Sequence, residues 1–126
     1  MDFKQEGHIG LMAEYPLKLR KWYEDVLDFK VIYKLPATEQ RMGVYWLQRG
    51  NNVIEIVPAN KKERITRERK DPGLSHFSIT VDDFDRFVDA LKKKNIIVND
   101  IHEFNAFRCG FFEDLEGNLI ELISFY

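Results

Sequence analysis

Two histidines and two glutamates recur in matched settings along this chain. His8 opens the segment His8-Ile9-Gly10-Leu11-Met12, and His76 opens His76-Phe77-Ser78-Ile79-Thr80, 68 positions later. Glu55 lies within Asn52-Val53-Ile54-Glu55-Ile56, and Glu121 lies 66 positions later within Asn118-Leu119-Ile120-Glu121-Leu122. One such echo arises easily by chance, whereas two in the same order at almost the same offset mark an internal repeat. Alternate side chains of a strand share a face, so each of the four stands opposite an apolar row. Those rows are Ile9 and Leu11, Phe77 and Ile79, Ile54 and Ile56, and Ile120 and Leu122. A carboxylate between Val53 and Val57, or between Leu119 and Ile123, is costly to keep unless a cation matches it. Two imidazoles and two carboxylates at repeat-related positions suit one divalent ion per site. Nickel and zinc lead the candidates, with cobalt, manganese and iron as alternatives. A six-coordinate ion would keep two positions for water or substrate oxygens.

The elements that must position these residues also repeat. After His8, Pro16 suits a first helical turn, and Leu19, Trp22, Tyr23, Val26 and Leu27 fall on one face. After His76, Asp82-Asp83 offers an N-cap, and Phe84, Phe87, Val88 and Leu91 follow at helical spacing. Lys92-Lys93-Lys94 then meets the negative end of the helix dipole. Three strand-like runs follow each helix, at 29–34, 43–48 and 52–58 and at 96–102, 108–113 and 118–124. The expected fold is α+β: two repeated β-α-β-β-β modules forming a curved mixed sheet around a metal-binding cavity. The modules span about 5–58 and 74–126 of one domain. Between them, 59–73 is a basic linker bearing Lys61, Lys62, Arg64, Arg67, Arg69 and Lys70. It reads as a solvated connector or as a rim that attracts an anionic substrate.

Composition narrows the function. The chain has 126 residues, 44% hydrophobic and 13% aromatic, which is too apolar for disorder and enough for a proper core. A net charge of −2 argues against a general nucleic-acid binder. The single cysteine, Cys109, excludes an internal disulfide framework and a zinc site built on several thiolates. The start carries no apolar signal core, and no run approaches the ~18–20 apolar residues of a membrane span. The expectation is a soluble cytoplasmic protein with a small-molecule substrate and no membrane partner.

The sequence resembles the vicinal oxygen chelate superfamily, which includes glyoxalase I, methylmalonyl-CoA epimerase, extradiol dioxygenases, and fosfomycin and bleomycin resistance proteins. The resemblance rests on His8-Ile9-Gly10-Leu11, on 22–29 (Trp-Tyr-Glu-Asp-Val-Leu-Asp-Phe), on 76–81, and on 112–122 with its Asp114-Leu115-Glu116-Gly117-Asn118 turn before Glu121. It implies paired β-α-β-β-β modules whose first and last strands supply metal ligands, here His8, Glu55, His76 and Glu121. That ligand set resembles glyoxalase I, which implies a lyase or isomerase stabilising an enediolate of a small oxo-compound or thiol adduct. The same resemblance makes Glu121 the catalytic base and implies a homodimer whose modules pair within or between chains. The glutathione contacts of glyoxalase I are not matched: Met12 and Ala59 stand where relatives carry arginine and asparagine. The alternatives are an iron-dependent dioxygenase and a non-catalytic antibiotic-binding protein.

Other residues divide between two roles. Arg108, alternating with Gly110 and Phe112, either clamps a substrate carboxylate or phosphate or forms a surface salt bridge. Tyr45, Trp46, Phe104 and Phe107 line a pocket or pack, and His102 reads as structural. Cys109, without an activating partner in sequence, is not expected to be a nucleophile.

Overall fold

The computed structural model describes residues 1–3, 7–60, 68 and 70–126. Most of the expected linker, with Lys61, Lys62, Arg64, Arg67 and Arg69, lies outside the described residues, as do positions 5 and 6 of the first expected module. The chain divides into two compact units, Met1–Ile65 and Thr66–Tyr126.

In the first unit, strand β1 (Ile9–Ala13) leads into helix α1 (Pro16–Leu27), followed by β2 (Lys30–Leu35), β3 (Val44–Arg49) and β4 (Asn52–Pro58). Pro16 occupies the first helical turn, where its missing N–H costs nothing, and Asp28 ends the helix in the left-handed region at φ 56°. Pro16, Leu19, Tyr23 and Leu27 form the buried stripe, and α1 lies against β3 and β4. Tyr23 meets Phe29 edge-to-face at 5.4 Å between ring centroids. Leu47, Ile54 and Ile56 complete this core, each worth about 1.5–3 kcal/mol when fully buried. The sheet is mixed, in the order β1-β4-β3-β2, with only the β1–β4 pair parallel.

The second unit repeats the plan with β5 (Phe77–Thr80), α2 (Phe84–Lys93), β6 (Asn99–Glu103), β7 (Phe107–Glu113) and β8 (Leu119–Phe125). Its order, β5-β8-β7-β6, is the counterpart of the first, and β5–β8 is its parallel pair. The Asp83 carboxylate caps α2 by accepting from Arg86 N at 3.0 Å, and Lys92 and Lys93 sit in its last turn. Phe84 and Leu91 are buried, and α2 lies against β8. Each unit is therefore a β-α-β-β-β module of an α+β fold, with its own four-stranded mixed sheet.

Most strand limits differ from the sequence expectation by one residue, but β6 starts at Asn99 rather than at 96. Residues 94–96 belong to the turn that closes α2: Asn95 takes φ 62°, and Ile96 N donates to Leu91 O at 3.0 Å. His8 and His76 each stand one residue ahead of β1 and β5 rather than inside them.

Candidate functional site

In the first unit, pairing decides which side chains share a face. Gly10 of β1 and Trp46 of β3 are the direct neighbours of Glu55, while Leu47 and Ile54 pair on the opposite, buried side. His8 Nε2 reaches Glu55 Oε2 at 2.9 Å, with side-chain exposures of 46% and 22%. Trp46 meets Tyr33 edge-to-face at 5.2 Å, so an aromatic pair stands next to the His8–Glu55 contact. Tyr45 belongs to the other side, where the Arg20 guanidinium lies 5.0 Å from its ring centre.

The second unit builds the same arrangement. Ser78 of β5 and Phe111 of β7 are the direct neighbours of Glu121, and Ile120 and Leu122 point into the core. His76 Nε2 stands 3.8 Å from Glu121 Oε1, with exposures of 31% and 18%. Two further contacts brace this imidazole: Nδ1 shares a hydrogen bond with Ser75 Oγ at 2.8 Å, and the ring meets Phe111 edge-to-face at 5.2 Å. The turn before β8 is held by Asp114, whose buried carboxylate accepts from Glu116 N, Asn118 N and Asn118 Nδ2 at 2.7–2.9 Å. Gly117 supplies the positive φ of 83° that this turn needs. Asp114 thus fixes where β8, and with it Glu121, begins.

Arg108 goes elsewhere. A Cβ on Gly110, two positions along, would meet Val98, Ile101 and Phe84, so this side of β7 faces α2. Arg108 lies over the Phe84 ring at 4.7 Å, donates to Asp85 Oδ1 at 2.8 Å and stands 3.6 Å from Glu103. It forms the salt bridge that was one of its two sequence readings, on the face opposite Phe111 and Glu121. Cys109 shares the Glu121 side. Burial chiefly, and then the Glu121 charge, push its thiol above the ordinary value, against an opposing hydrogen bond from the His102 backbone. A thiol held neutral in this way is a poor nucleophile, as expected. Phe107 stacks between Phe104 and Phe125 at 4.8 and 5.9 Å, and Phe104 lies 6.3 Å from His102. Sequence reading passed over Phe111. Its signal was the matched place of Trp46, the direct cross-strand neighbour of the other glutamate.

Among the described residues, no group of three or more histidine, cysteine, aspartate or glutamate side chains stands together. Within each unit the residues expected as ligands offer one imidazole nitrogen and one carboxylate. Donors bound at ~2.0–2.2 Å to one ion stand roughly 3 Å apart, so 2.9 Å fits at once and 3.8 Å fits after a small side-chain movement. The chemistry of each pair therefore suits half of a divalent-metal site.

A family model for the Glyoxalase/Bleomycin resistance protein/Dioxygenase superfamily matches residues 6–122. The chain belongs to that superfamily. Solved structures of glyoxalase-type proteins share its fold. A glyoxalase family protein from Enterococcus faecalis is 22% identical, with a TM-score of 0.81 over 98% of this chain and 99% of its own. Lactoylglutathione lyase from Agrobacterium tumefaciens is 19% identical, with a TM-score of 0.69 over 93% and 90%. The antibiotic binding protein TnmS3 from Streptomyces sp. CB03234 is 15% identical, with a TM-score of 0.74 over 100% and 99%. No curated protein matches the sequence. Among the described residues, no helix of this superfamily member is long and apolar enough to cross a membrane.

Proposed function

We propose that the chain is a metal-dependent lyase or isomerase of glyoxalase type, which removes a proton next to a carbonyl in a small oxo-compound or thiol adduct. The observation that carries this reading is the recurrence of one His–Glu contact, on the same face and at the same register, in both units. His8, Glu55, His76 and Glu121 would hold one divalent ion, the modules pairing within a chain or across a homodimer in the cytoplasm. When bound, that ion would polarise substrate oxygens and lower the cost of charge developing on them.

The chain's own residues supply the rest. With Nδ1–H donating to Ser75 Oγ, the Nε2 lone pair of His76 would be available as a ligand and the ring plane fixed, with Phe111 packed edge-to-face against it. Glu121 is the base: a carboxylate oxygen takes the substrate proton and returns it to the neighbouring carbon. Half-burial between Leu119 and Ile123 strengthens its electrostatic interactions.

Proton exchange tests the reading. Metal-loaded protein, offered small oxo-compounds, 2-oxoaldehyde–thiol adducts and acyl-CoA epimers in deuterated water, is expected to incorporate deuterium next to the carbonyl of at least one of these classes. Glu121→Gln should slow this by about 10²–10⁴-fold. Ligand binding without exchange in the metal-loaded wild type would contradict the enzyme and point to a sequestering protein.

A further inference from the structure

The surroundings of the two His–Glu pairs carry a chemical preference. Four strands of the second unit contain one Lys or Arg, Arg108, and it lies on the side facing α2, bound to Asp85. The Glu121 side of β7 and β8 otherwise carries apolar side chains, Phe111, Cys109, Leu119 and Ile123 among them, and one further carboxylate, Glu113. In the first unit, Arg49 donates to Leu27 O, and Lys34 pairs with Tyr45, away from Glu55. Lys30 shares the Glu55 side through Gln48 and Val53, but at the far end of the edge strand β2, with its ammonium 3.3 Å from Asp28. Beside Glu55 stand Trp46, Tyr33 and Met12, the last two 58% and 57% exposed.

We propose that the side of each unit bearing the His–Glu pair receives an uncharged aromatic carbonyl compound, its ring against Trp46 or Phe111 and the C–H next to its carbonyl toward the glutamate carboxylate. This rests on the functional reading above and specifies its substrate. Charge complementarity carries it: the described side chains around each glutamate offer aromatic faces and carboxylates. A polyanionic carrier, such as a peptide thiol or a phosphorylated thiol, would need cations there to replace its hydration. An uncharged ring loses little hydration and gains area together with edge or offset ring contacts. The neighbouring polar pair then fixes orientation, as a few convergent polar groups do in apolar sites.

A matched pair of probes tests this: a naphthyl methyl ketone, and the naphthoate of the same ring size. Calorimetric titration of the full chain should show the ketone binding at least about tenfold more tightly than the naphthoate, with little dependence on salt. Trp46→Leu and Phe111→Leu should each weaken the ketone by about threefold to tenfold while circular dichroism and melting stay close to wild type. Tighter, salt-sensitive binding of naphthoate would overturn the proposal. Failure of either ligand to bind, with the two substitutions changing the oligomeric state, would also overturn it by showing a second copy on these rings. Metal content measured on the same samples separates the two readings. Ketone binding that survives in a protein unable to hold metal supports this inference and removes the enzyme, whereas metal held without ketone binding does the reverse.

Discussion

In the first unit His8 contacts Glu55 directly at 2.9 Å and its side chain is nearly half exposed; in the second His76 stands 3.8 Å from Glu121, is less exposed, and is braced by Ser75 and Phe111. The strands bearing the glutamates are also delivered differently. A Gly50-Asn51 turn leads into β4, with Gln48 Nε2 donating to Gly50 O, whereas the buried Asp114 carboxylate organises the turn into β8 through three donors. The helices follow suit: α1 has no side-chain cap, and α2 has Asp83. One plan thus appears twice, with more of its second copy fixed by contacts outside the His–Glu pair itself. A base must release and regain its partners during turnover, so orientation by neighbours favours Glu121 over Glu55 for that task.

That contrast can be broken at several points. The largest effect is expected from the glutamates: Glu121→Gln should cost about 10²–10⁴-fold in turnover. Glu55→Gln should chiefly lower metal retention and, at saturating metal, keep a larger share of turnover. Equal losses in kcat at saturating metal would erase the distinction. Next comes the turn. Asp114→Ala should destabilise the protein by about 2–3 kcal/mol in urea unfolding, because three donors lose a buried acceptor. Asn51→Ala, at an exposed turn position, should stay within about 0.5 kcal/mol. A smaller change is expected from Ser75→Ala, which should weaken metal binding by about tenfold through loss of the Nδ1 partner, read by competition with a chelator.

The smallest effect depends on pH. Folding raises the Cys109 thiol above 9.0, so the native protein keeps that proton where an unfolded thiol has lost it. The resulting stability is intact below 9.0 and is lost as pH climbs through the raised native value. Urea midpoints measured on either side of 9.0 should therefore fall less steeply for Cys109→Ala than for the wild type.

Much of the plan was legible in the sequence because it is written twice. The glutamate strand 52–58 has the limits expected of it, and the Asp83 cap and the Phe84–Leu91 face stand where helical spacing put them. Alternation also put Gly10 on the face of His8 and Ser78 on the face of His76, while strand pairing sets them beside Glu55 and Glu121. What escaped were features set by tertiary contact. Alternation groups Arg108 with Gly110 but cannot say which side meets a helix; Phe84 packing against Gly110 decides that. The start of β6 escaped because residues 96–98 look strand-like, while Ile96 is bound into the end of α2 and Val98 into the core. Phe111 escaped because an aromatic in a strand is usually packing, and its register opposite Glu121 is a long-range fact.

Elemental mass spectrometry of the purified protein tests the proposed joint metal centre most directly, comparing the wild type with a His8→Ala, Glu55→Ala double variant and a His76→Ala, Glu121→Ala double variant. Near-stoichiometric divalent metal in the wild type that disappears from both variants is the predicted result. Metal that persists when either pair is removed, or a wild type that takes up none after incubation with nickel, zinc, cobalt and manganese, would contradict a single centre built from both pairs.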